Sequence, residues 1–305
     1  MANLGDNFYI LAMRRTLPLL VLLIISNPLK AKSNKVIYGE DNRREPFEVA
    51  NSRLEYASNS VAAIISNYSL RKIGHQTELV SLTLDETINY CPSVPYTDQI
   101  SAASCTSFLV APDIVLTAGH CIKTDWDCQT KSFVFDYRID KIGTRVGPYK
   151  RFRIDNDNIY KCAEILERKL EKEGTLEDWA IIKLDRRVED REPLAIRTSG
   201  RMQSDVKLSL LGFPSGIPLK IATDGKLRND ENKYFFVAEV DAFHMNSGSP
   251  VINEATLEVE GLLVRGEKDF INRVGCYDLM RCNDGSCRGE DVSRITSIPL
   301  DKYLD

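Results

Sequence analysis

Three side chains in this sequence are of the types that perform acyl transfer when brought together: His120, Asp178 and Ser247. Ser247 lies in "HMNSGSPV" (244–251), which taken alone is a turn, because Asn, Ser, Gly and Pro punctuate loops everywhere. A serine hydroxyl is a poor nucleophile until an adjacent base takes its proton. An imidazole suits that task near neutral pH. It needs a carboxylate to hold its tautomer and to stabilise the imidazolium formed during reaction. His120 closes "CTSFLVAPDIVLTAGHC" (105–121), after an apolar run and a small-residue bend, with a cysteine at each end. The other two histidines are His75, in the polar stretch "KIGHQTE", and His244, three residues before Ser247. A lone histidine is more often structural than catalytic. Asp178 opens "DWAIIKLD", where an acidic residue is often a cap or a surface charge. Each piece is weak alone, and the assembled set carries the signal.

Short strands position these residues. Ser107–Ala111 and Ile114–Ala118, broken by Pro112-Asp113, read as a hairpin. "SFVFDYRI" (132–139), "WAIIKL" (179–184), "KLSLLGF" (207–213), "KYFFVAEV" (233–240) and "EVEGLLVRG" (258–266) read as further strands, rich in Val, Ile, Phe and Tyr. Asp224-Gly225 and "NDEN" (229–232) supply turns. One stretch, Tyr160–Glu173, places Ile165, Leu166 and Leu170 on one face and Glu164 and Arg168 at i,i+4, which predicts a short amphipathic helix ended by Gly174. The charged run 186–200 reads as a hinge between two halves. Many short strands at regular spacing point to an all-β sandwich or a pair of barrels.

The 305 residues suffice for one large domain or two packed β units. A net charge of −4 implies no nucleic-acid partner. Met13-Arg14-Arg15, the apolar "LPLLVLLII" (17–25) and the small residue Ala31 have the layout of a secretory signal peptide over residues 1–31. The run is far below the ~20 residues that span a bilayer, so no membrane anchor is expected after signal removal. Met13 is an alternative start. Export makes disulfides the default for the eight cysteines. None forms a CxxC pair, so neither metal nor cofactor is expected. "DNDN" (155–158) lacks the Gly and Glu of a calcium loop.

The local boxes now carry a resemblance. "TAGHC" is similar to the TAAHC box of trypsin-like serine proteases, and "DWAIIKL" to the strand that carries their aspartate. "NSGSPV" and "LLGFPSGIPLK" (210–220) resemble the bacterial branch related to glutamyl endopeptidases. The chain order His, Asp, Ser is also that of the chymotrypsin type. The resemblance implies an all-β fold of two perpendicular six-stranded antiparallel β-barrels, with the active site in the cleft between them. Residues 36–190 would form the barrel with His120 and Asp178, and residues 191–305 the barrel with Ser247. It implies a secreted or periplasmic, monomeric endopeptidase acting on proteins or peptides. His120 would be the base, Asp178 its orienter and Ser247 the nucleophile, with the N–H groups of Met245 and Ser247 as oxyanion hole. It also implies the pairs Cys105–Cys121 and Cys128–Cys162. The first closes a loop worth roughly 3 kcal/mol in the chain-entropy model. Cys91, Cys276, Cys282 and Cys287 stay unassigned.

The departures are equally specific. Met245 stands where the family usually has glycine, whose backbone tolerates angles that a β-carbon resists. Asn246 stands where trypsins have the aspartate that receives the activated N-terminus. "KVIYGEDNR" (35–43) nevertheless resembles a processing junction, with 32–35 as a short propeptide. Cleavage after Lys35 and simple signal removal after Ala31 are both compatible with the sequence. Asp241, six residues before Ser247, stands where trypsin keeps its pocket aspartate. It would select Lys or Arg, point elsewhere as a strand-end residue, or pair with Arg265. Leu263 replaces the histidine with which glutamyl endopeptidases read substrate. Val264, Arg265 and Gly266 would form the edge to which substrate backbone adds. A non-catalytic homologue serving as a binding module is the alternative function. A lipase or esterase lacks its GxSxG box.

Overall fold

The computed structural model describes residues 36–139, 152–282 and 287–304. The signal peptide and propeptide expected over 1–35 lie outside the described residues. Twelve strands build two closed six-stranded antiparallel barrels. The first contains β1 (Val61–Ser66), β2 (Ala103–Ala111), β3 (Ile114–Thr117), β4 (Lys131–Val134), β5 (Ile159–Leu170) and β6 (Asp178–Leu184). They run in the order β5-β6-β3-β2-β1-β4, and β4 returns to β5. The second contains β7 (Lys207–Gly212), β8 (Lys220–Asn229), β9 (Phe235–Glu239), β10 (Pro250–Asn253), β11 (Val259–Arg265) and β12 (Glu290–Arg294). Its order is β7-β10-β11-β12-β9-β8, closed by β7 against β8. Closure leaves neither barrel with an open edge among the described residues.

Residues with a β-branch or a large apolar body fill both barrels. Val61–Ile65, Phe108, Leu109, Leu116, Phe133 and Ile182 are buried in the first, and Leu208, Leu210, Phe236, Val251 and Leu263 in the second. The first core continues through Leu211, Phe213, Leu262 and Val264, so an apolar seam joins the barrels. The predicted hairpin is β2–β3, with Ser107 opposite Thr117. The N-terminal segment lies on the second barrel, where Arg43–Arg44 pair with β8.

Three expectations change. Residues 160–173 form no helix: Ile159–Leu170 is strand β5. Register shifts at Cys162/Glu164 and Ile165/Glu167 explain the misleading pattern. Each bulge adds a residue and reverses the in–out alternation, so a two-residue period acquires apolar neighbours at helical spacing. Pairing with β6 and the Cys128–Cys162 disulfide then override the helix propensity of Glu, Lys and Leu. Asp224-Gly225 is a bulge within β8, not a turn. Leu208 faces Gly225 and Leu210 faces Ala222, and Asp224 takes φ 62°. The left-handed preference that marks a turn serves a bulge equally well. Finally, only the start of 132–139 pairs, because the strand ends at Val134 and Asp136 turns the chain with φ 57°.

Candidate active site

His120 stands just beyond β3, in a bend where the Cys121 N–H donates to the Ala118 carbonyl (3.0 Å). A disulfide ties Cys121 to Cys105 on β2. Asp178 is the first residue of β6 and is buried. Its Oδ1 accepts the His120 main-chain N–H (3.0 Å), and its Oδ2 lies 2.7 Å from Nδ1 of the ring. A carboxylate only accepts, so Nδ1 carries the proton and Nε2 is left as the basic nitrogen. The bend is crowded. A Cβ on Gly119 would stand 2.0 Å from the Lys169 carbonyl oxygen and 2.8 Å from that of Trp179, so only glycine lets β5 and β6 pass this close.

Ser247 sits on the loop between β9 and β10, buried and stitched to the first barrel. Its carbonyl accepts the Thr106 N–H (2.9 Å), and Cys121 Sγ lies 3.7 Å from the same oxygen. The disulfide beside His120 therefore touches the residue that carries the hydroxyl. Gly248 takes φ 89°, and a Cβ there would lie 2.1 Å from the Thr106 carbonyl. Its N–H donates to Leu263 (2.7 Å), and Leu263 N–H returns to Ser249 (2.9 Å), which fixes the loop against β11. Met245 has φ 71°, the left-handed region that glycine would enter without strain. Its carbonyl accepts the Thr106 hydroxyl (3.0 Å). Asn246 turns its side chain to the Ser249 hydroxyl (3.4 Å).

The remaining expected residues separate. Asp241 is buried and faces the N-terminal segment: Oδ1 accepts the Tyr38 N–H and Oδ2 the Asn42 N–H, both at 2.7 Å. Burial pushes its carboxyl up to about 6. Asp241 does not pair with Arg265, whose Nε instead meets Asp291 (3.1 Å). Val264 falls at a bulge between Leu263 and Arg265 in the β11–β12 pairing. Gly266 packs against Glu290, whose Oε2 would lie 1.6 Å from an added Cβ. Glu290 is buried, and its Oε1 accepts from the Tyr38 hydroxyl (3.1 Å). Val36 is buried with Cys282 and Cys287, and its carbonyl accepts the Ala242 N–H (3.2 Å).

The disulfides join Cys105 to Cys121, Cys128 to Cys162, Cys91 to Cys276 and Cys282 to Cys287. Cys105, His120 and Cys121 bring ligand atoms together, but both sulfurs are bonded and offer no thiolate to a metal. Sequence reasoning overlooked a second His–Asp contact. Buried Asp269 accepts the His244 main-chain N–H (2.9 Å) and contacts its Nδ1, both through Oδ2, where Asp178 gives one oxygen to each group of His120. The spacing of 25 residues across two strands gives no local signal for it.

A family model described as a trypsin-like peptidase domain matches residues 105–262, just over half of the chain. Among solved structures, a Glu endopeptidase in complex with MPD is similar at 16% identity with a TM-score of 0.50, covering 88% of this chain and 98% of that one. An inactive form of a Mycobacterium tuberculosis protein matches at 13% identity and a TM-score of 0.46, covering 88% of this chain and 96% of that one. A serine endoprotease from Yersinia pestis matches at 12% identity and a TM-score of 0.43, covering 70% and 56%. At 16% identity the likeness to the Glu endopeptidase speaks to the fold alone. No curated protein sequence matches the chain.

Proposed function

The chain belongs to the family of trypsin-like peptidase domains, and from that premise we propose that it is a secreted serine endopeptidase working through His120, Asp178 and Ser247. The observation that carries this reading is the buried Asp178 carboxylate, which fixes both the backbone and Nδ1 of His120 beside the disulfide that touches Ser247. His120 Nε2 takes the Ser247 Oγ proton as Oγ attacks the scissile carbonyl. Asp178 stabilises the imidazolium without taking its proton. The N–H groups of Met245 and Ser247 receive the developing oxyanion. His120 then protonates the departing amine, and water activated by the same imidazole hydrolyses the acyl-enzyme. Substrate backbone adds along Val264–Gly266 by strand pairing. The four disulfides fit an oxidising compartment.

Asp241 holds the N-terminal segment, since both its oxygens are engaged by Tyr38 and Asn42. This supports the reading of Asp241 as a strand-end residue over selection of a substrate Lys or Arg. The burial of Val36 supports processing after Lys35, which would make Val36 the mature N-terminus.

The test is fluorophosphonate labelling of a chain beginning at Val36, with Ser247→Ala and a chain beginning at Lys32 alongside. Labelling that requires Ser247 is expected, with loss in the longer chain if processing activates the enzyme. Folded wild-type chains that never label would refute the peptidase reading. They would favour the binding module, for which a methionine at position 245, where the family usually has glycine, is the supporting observation.

A further inference from the structure

We propose that Asp269 is a positioning residue that holds Met245 in its left-handed conformation and so keeps the oxyanion-binding N–H groups aimed; this rests on the peptidase reading above. Met245 occupies φ 71° although it carries a β-carbon. Such a conformation persists only when its surroundings over-determine it. The residue before it, His244, is held on three sides. Its main-chain N–H donates to Asp269 Oδ2 (2.9 Å), its ring Nδ1 contacts the same oxygen, and its carbonyl accepts the Ser215 N–H (2.6 Å). The turn is closed beyond it by the Asn246 N–H on the Phe243 carbonyl (3.1 Å). With His244 fixed, the peptide that carries the Met245 N–H has little freedom to rotate.

Asp269 is itself well anchored. It is buried, its carbonyl accepts the Met280 N–H (2.8 Å), and it opens the hairpin Phe270–Arg273/Cys276–Leu279. Cys91–Cys276 fastens that hairpin, and Phe270 packs between Tyr90 and Phe243 at 5.1 and 5.5 Å. Asp269 follows Gly266 by three residues, so the clamp joins the loop before the nucleophile to the segment after β11. The half-exposed His244 ring links the two walls. Where a glycine would need no support, this chain has a methionine and a clamp.

The experiment is a double-mutant cycle between Asp269→Ala and Met245→Gly, read as the second-order rate of fluorophosphonate labelling of Ser247. Loss of one oxyanion donor costs ~100- to 1000-fold, so a donor loosened by Asp269→Ala should cost roughly 10- to 100-fold. In the Met245→Gly background the same change should cost less than about threefold, because glycine takes positive φ unaided. General destabilisation would not be rescued by Met245→Gly. An equal loss in both backgrounds, or no loss in a folded Asp269→Ala chain, would overturn the proposal. Asp269→Asn, with one acceptor oxygen and nearly the same shape, replaces the alanine variant if that fails to fold. A smaller loss with the same rescue is then expected. A crystal structure of the variant gives a readout independent of activity. Met245 leaving the left-handed region supports the clamp even if the wild type proves inert, and Met245 remaining there refutes it.

Discussion

Gly119→Ala adds only a methyl group, yet it should damage both stability and labelling. The family box has alanine at this position, so the substitution would restore the usual residue. Here the new Cβ would lie 2.0 Å from the Lys169 carbonyl oxygen, about 1.4 Å inside the 3.4 Å at which ordinary contact begins. It would also lie 2.8 Å from the Trp179 carbonyl. Both obstacles are backbone, and Lys169 and Trp179 face each other in the β5–β6 register, so neither yields alone. Overpacking of this kind costs ~1–3 kcal/mol, or roughly 5 °C in melting temperature for a chain of this size. The strain falls between His120 and Asp178, the residue before Trp179. A shift of ~1 Å there costs on the order of 100-fold in rate. The assay is a thermal melt together with the fluorophosphonate labelling rate, both on the chain beginning at Val36. An alanine variant that matches wild type in both would show that the bend has room, and the argument from close approach would fail.

Other substitutions probe separate parts. Asp178→Asn should lower the labelling rate ~10,000-fold with little change in fold, because an amide no longer enforces the His120 tautomer; a loss under tenfold would remove Asp178 from the site. Lys220→Met should cost ~3–5 kcal/mol in a denaturant titration. Lys220 is fully buried, with Nζ 3.1 Å from Glu45 and 2.8 Å from Gln99, and its loss removes the cation from a buried carboxylate that keeps the Gln99 amide as donor (2.8 Å); an unchanged midpoint would refute this. Asp241 gives a pH signature. Its carboxyl is raised from 3.8 to about 6, so the folded chain holds that proton more tightly than the unfolded one. The contribution of the raised value is fully present below pH 4 and is lost as pH rises through about 6, a change of order 3 kcal/mol. The stability difference between wild type and Asp241→Ala should therefore grow as pH falls from 7 to 4, and a flat difference would refute it.

Local sequence determined what local physics controls. β-Branched and aromatic runs marked β2, β3, β6, β7, β9 and β11, because those residues fit a pleated, buried surface wherever it occurs. Pro112-Asp113 marked the hairpin between β2 and β3, and the boxes around His120, Asp178 and Ser247 carried the family resemblance. Tertiary structure decided what depends on distant partners. Strand β5 read as a helix because two bulges disguise its period, and bulges are set by the strand alongside. Asp241 read as a pocket carboxylate, a strand-end residue or a partner of Arg265, and its actual partners Tyr38 and Asn42 lie some 200 residues away in sequence. The support for Met245 comes from Asp269, which approaches His244 only after β10 and β11 have folded between them. A side chain's type is written in the sequence, but the partner that satisfies a buried charge or a strained turn is fixed only when the chain closes on itself.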